Sequence, residues 1–96
     1  MDALTTRAWI LLSIPSQGAA IDEVLWRAAA INKCEPTQAE LHESLQWLRA
    51  AGLIEDEDER FVPTQSGRRV VHEEWRAESM MDTWGAIATR LADGTW

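Results

Sequence analysis

The chain has 96 residues, enough for one small domain with a modest core, and its 46% apolar content excludes a disordered chain. Nine basic against sixteen acidic residues leave a net charge of -7, so composition supplies no cationic footprint for nucleic acid or an anionic membrane. Cys34 is the single cysteine, which excludes an intrachain disulfide and a thiolate metal cluster.

The longest apolar run, Ala8 to Leu12, is far short of a membrane span, and Met1-Asp2 opens no secretory signal, so a cytoplasmic protein without membrane association is expected. In the first segment Leu4, Ala8, Leu11 and Leu12 share one face of a helix, with Asp2 or Thr5 as cap and Pro15 and Gly18 as terminators. A second helix is expected over IDEVLWRAAAI, with Ile21, Leu25, Ala28 and Ala29 on its apolar face and Asp22 and Glu23 at the positive end of its dipole.

Signals for the third helix are the clearest. Glu35-Pro36 interrupts the chain, and Thr37-Gln38-Ala39-Glu40 then fits a capping box, in which Thr and Glu satisfy each other's orphan amides. Leu41, Leu45 and Leu48 form the buried stripe, and Gly52 supplies the left-handed residue that ends the helix. Leu53-Ile54-Glu55 and Arg60-Phe61-Val62 read as two short strands, with the acidic residues between them as a hairpin turn.

Thr64 caps a fourth helix carrying Val70, Val71 and Trp75. Beyond it, Met80, Trp84, Ile87 and Leu91 recur at four, three and four residues, the seam of a helix that packs on another helix. Gly85 weakens that helix by roughly 1 kcal/mol relative to Ala and marks a point where it can kink. The order helix, helix, capped helix, hairpin, helix predicts a mainly α, α+β fold in which the hairpin lies on the helices.

The stretch LHESLQWLRAAGLIEDEDERFVPTQSGRRV resembles winged helix-turn-helix domains, in particular small bacterial regulators of the MarR and PadR types. Their helix ending in L-x-x-x-G-L-I is matched by Leu48-Arg49-Ala50-Ala51-Gly52-Leu53-Ile54, and their T-x-x-G-R by Thr64-Gln65-Ser66-Gly67-Arg68. The resemblance covers roughly residues 4–76 and implies a recognition helix near 37–51, a wing at 53–63 and dimerisation through terminal helices. On this reading residues 1–76 are the winged-helix domain and 77–96 a helical extension whose Met80, Trp84, Ile87 and Leu91 form a homodimer interface. Asp58-Glu59-Arg60 also resembles the D-x-R of MarR-type wings, where the arginine reaches DNA, although this wing is shorter than is usual there.

A DNA-binding face would then comprise Thr37, Gln38, His42, Gln46 and Arg49 on the third helix and Arg60 on the wing, Gln being suited to adenine and Arg to guanine. The alternative for that helix surface is an ordinary solvated face. Against DNA stands the charge. From Lys33 to Gln65 there are three bases and eight acids, a net of -5, and each carboxylate near a phosphate costs on the order of 1 kcal/mol before screening.

The run EDEDER at 55–60 is read as the solvated tip of the hairpin. A calcium loop is excluded because Arg60 stands where the third ligand belongs and no glycine follows. His42 and His72 lack partners for a metal or a catalytic pair, Cys34 has no companion motif, and no phosphate loop or nucleophile elbow occurs. No enzyme and no cofactor is therefore expected. Trp47, off the leucine stripe, covers the domain's side or enters an interface, while Trp9 and Trp26 are expected in the core or at its rim. The function expected is a homodimeric winged-helix regulator binding double-stranded DNA weakly or site-specifically, and the alternative is a winged helix turned to protein interaction.

Overall fold

The computed structural model describes all residues, Met1–Trp96. Five helices, α1 (Ala3–Leu12), α2 (Ile21–Asn32), α3 (Gln38–Ala50), α4 (Gln65–Glu74) and α5 (Met80–Asp93), accompany a two-stranded antiparallel sheet of β1 (Ile54–Glu57) and β2 (Arg60–Pro63). The fold is α+β with a mainly helical core.

Each boundary has a local cause. Asp2 caps α1 by accepting from the Thr5 N–H at 2.8 Å, and that bond holds its carboxyl below the ordinary value of 3.8. At α3 the capping box is complete: Glu40 N–H donates to Thr37 Oγ1 at 3.0 Å, and Thr37 N–H donates to Glu40 Oε1 at 2.8 Å. Gly52, at φ +76°, turns the chain out of α3 and into β1. The hairpin pairs Glu57 with Arg60, so Asp58 and Glu59 alone form its tip, both at positive φ (51° and 63°). That is the geometry of a tight two-residue turn, adopted here without glycine.

Gly67 meets a stricter demand. A Cβ there would lie 2.1 Å from the Leu53 carbonyl oxygen, so the first turn of α4 packs directly on the backbone entering β1. Thr64 ties the same junction: its Oγ1 accepts from the Gly67 N–H at 3.1 Å and donates to the Gly52 carbonyl at 2.6 Å. The spacing Thr64-x-x-Gly67 is thus a steric requirement of this contact.

One core of 17 buried residues joins α1 to every other helix. Trp9 and Trp84 lie at its centre, ring centroids 5.8 Å apart, with Trp9 Nε1 donating to the Ala28 carbonyl and Trp84 Nε1 to that of Thr5. Division of the chain at residue 76 is therefore corrected, because α5 packs against α1 within the same core. It runs unbroken through Gly85, and Arg90 clamps it to α4 through Glu73 (2.9 Å) and Glu74 (2.8 Å), which raises the arginine's pKa.

The proposed dimer seam is corrected for the same reason. Trp84, Ile87 and Leu91 are 4%, 0% and 3% exposed within the single chain, leaving no area for a partner; Met80 alone of the four is exposed. Two further expectations shift. The buried face of α2 is Val24 and Ala28 rather than the face containing Ile21, and Trp26 stands out at 71% exposure instead of lining the core. Trp47 does cover the side of the domain, packed edge-on to Trp96 at 6.1 Å with the Arg7 guanidinium 4.7 Å over its ring.

Candidate interaction face on the third helix

The capping box and the leucine stripe set the rotation of α3. With Leu41, Leu45 and Leu48 turned inward, Gln38, His42, Gln46 and Arg49 fall on the exposed side, three or four residues apart. These four expected site residues are brought together, and all line a groove of about 620 Å³. Its apolar wall comes from Ile21 and Leu25 of α2 and Phe61 of β2. The sequence pattern assigned Ile21 and Leu25 to the core; their place on the groove follows from the rotation of α2, which Val24 and Ala28 determine.

Thr37 and Arg60 are not part of this row. Thr37 precedes it, and its side-chain oxygen is occupied by the cap. Arg60 turns toward the α1–α2 connection, where its Nη2 donates to the Gly18 carbonyl at 2.7 Å and to that of Gln17 at 3.3 Å. This connection also reaches the hairpin directly: Ala19 and Phe61 exchange two backbone hydrogen bonds, of 3.0 and 2.8 Å, as an antiparallel bridge. Gly18, at φ +85°, permits that approach, since a Cβ there would lie 2.7 Å from Val62 Cγ2.

Charge around the groove is mostly negative. Arg49 pairs with Asp56 on β1 at 3.0 Å, and Arg7 pairs with Glu43 on the opposite flank of α3. Both ends of the Arg49–Asp56 pair are substantially exposed, so it is worth at most about 1 kcal/mol, but it neutralises the one cation in the row. Glu55, Glu57, Asp58 and Glu59 stay exposed along the hairpin without a cation. No group of His, Cys, Asp or Glu side chains is gathered for a metal ion, and no helix is long and apolar enough to cross a membrane. Chemically, the face offers an apolar slot, amide and imidazole hydrogen-bonding groups and a rim of carboxylates. In comparisons with known proteins, no family model, no curated protein and no solved structure matches this chain.

Proposed function

We propose that the chain is a winged-helix protein-interaction module, whose α3 groove and acidic hairpin dock a basic, partly apolar segment of another protein. The order of elements supports the winged-helix reading, with β1 and β2 as the wing and the Ala19–Phe61 bridge as a rudimentary third strand. The observation that carries the functional reading is the engagement of both expected DNA-facing arginines. Arg49 is neutralised by Asp56 and Arg60 is held by two loop carbonyls, while an apolar groove lies beside unpaired carboxylates. Affinity for duplex DNA comes largely from cations delivered to phosphate, and this face delivers none that is free on the wing. Fold alone does not decide between the two uses.

A DNA-binding regulator is the second reading, favoured by the row Gln38, His42, Gln46 and Arg49, whose side chains could reach base edges. The triple variant Asp56→Asn, Glu57→Gln, Glu59→Gln separates the two because it removes repulsion and frees Arg49. Binding of a labelled random-sequence duplex and of a lysine-rich peptide with apolar anchors would be measured at low and moderate salt. The interaction module predicts peptide capture by the parent chain, weakened in the variant, with no duplex binding by the parent. Salt-sensitive duplex binding by the parent, tightened in the variant, would overturn it in favour of the regulator.

A further inference from the structure

A second surface shares no residue with the α3 groove. Two adjoining clefts of about 680 and 330 Å³, which have Ile14, Ser16, Val71 and Trp75 in common, form an open trough between the end of α1, α2 and α4. Trp26, Trp75 and Met80 line it while 71%, 49% and 41% exposed. Large apolar groups gathered on one exposed surface mark an interaction site more often than do scattered ones.

Its charge is opposite to that of the chain. Arg27, Arg68 and Arg69 line the trough together with His72, and none of the sixteen acids does. Arg27 is paired with Glu23, but Arg68 meets only the neutral Ser16 carbonyl, at 3.0 and 3.1 Å, and Arg69 has no ion pair. Two uncompensated guanidiniums beside exposed tryptophans select an occupant that carries both carboxylates and apolar side chains. A second copy docked trough to trough by two-fold symmetry would bring these arginines toward their own counterparts, which disfavours it. Two or three cations are also too few to hold a nucleic-acid backbone against a net charge of -7.

We infer that the trough docks an acidic amphipathic helix of a partner protein, with its apolar side chains seated among Trp26, Trp75 and Met80 and its flanking carboxylates on Arg68 and Arg69. Apolar anchors three and four residues apart are what a helix presents to such a groove. The rest of the acidic surface opposes this only at long range, where salt screens it beyond a Debye length of about 10 Å.

The test uses the full chain and a labelled peptide of about fifteen residues, with leucines at helical spacing and glutamates elsewhere, followed by fluorescence anisotropy. A matched peptide carries lysine in place of every glutamate. Saturable binding of the glutamate peptide is expected, whereas the lysine peptide, which the proposed function places on the α3 groove, should bind independently of Trp75 and Arg69. Trp75→Ser should abolish glutamate-peptide binding, and Arg69→Glu should weaken it at least about tenfold while far-UV circular dichroism stays unchanged. The double variant Arg68→Glu, Arg69→Glu, made together with the Asp56→Asn, Glu57→Gln, Glu59→Gln changes that weaken the α3 site, should instead acquire binding of the lysine peptide, a reversal that mere loss of structure cannot produce. Absence of saturable binding of the glutamate peptide at millimolar concentration, or no effect of Arg69→Glu on that binding, would overturn the inference. Self-association of the parent chain lost in Trp75→Ser would also overturn it, by making a copy of the chain the occupant. The glutamate-peptide readouts depend on trough residues alone, so failure here is separable from failure of the proposed function.

Discussion

Ser44 lies at 0% exposure among the leucines of α3, and its hydroxyl has no hydrogen-bond partner within the chain. An unpaired buried polar atom carries a desolvation penalty, and Ala is the better helix former. Ser44→Ala should therefore raise stability by about 1 kcal/mol, read as a higher denaturant midpoint at constant slope. A lower midpoint would mean that the hydroxyl has a partner after all. Thr37 predicts the reverse. Thr37→Val removes the acceptor for the Glu40 N–H and should cost about 1 kcal/mol, and an unchanged midpoint would contradict the capping box.

At the scale of elements, two helical glycines look alike in sequence and differ in what surrounds them. Gly85 has nothing within 4 Å of where a Cβ would sit, so Gly85→Ala should stabilise α5 by about 1 kcal/mol. Gly67→Ala should destabilise by on the order of 2–3 kcal/mol, because the colliding atom is a backbone carbonyl that cannot rotate away. Thermal unfolding of the pair should move the two midpoints in opposite directions; movement in the same direction would contradict the α4–β1 packing. The hairpin tip holds Glu59 at φ 63°, a conformation that costs an L-residue roughly 1–2 kcal/mol. Glu59→Gly should stabilise the hairpin by somewhat less than that, since glycine also gains freedom in the unfolded chain.

For the whole molecule, the decisive contact is α5 on α1. Trp84 is 4% exposed, stacks near Trp9 and donates to the Thr5 carbonyl at 2.7 Å. Trp84→Glu would leave a cavity and bury a charge, costing at least about 3 kcal/mol out of the 5–15 kcal/mol typical of a small domain. Equilibrium sedimentation with near-ultraviolet circular dichroism should show an unfolding monomer. A folded monomer released from a dimer would restore the seam to an interface role.

Local chemistry made much of this architecture legible in advance. The cap at Thr37, the left-handed Gly52, the leucine stripe and the second cap at Thr64 each depend on residues within a few positions, and all stand where the sequence places them. The row from Gln38 to Arg49 was legible for the same reason, being the complement of that stripe. Long-range geometry decided the rest. Periodicity shows that Trp84, Ile87 and Leu91 form a seam but not whether the helix facing it belongs to the same chain, and α1 turned out to supply it. Arg49 and Arg60 carry the same charge in any sequence reading, yet only the fold sets one against Asp56 and the other on the Gly18 carbonyl, 42 residues distant. Nor could a pattern of spacing gather Arg68, Arg69, Trp75 and Trp26 into one trough, because three helices must dock before that surface exists.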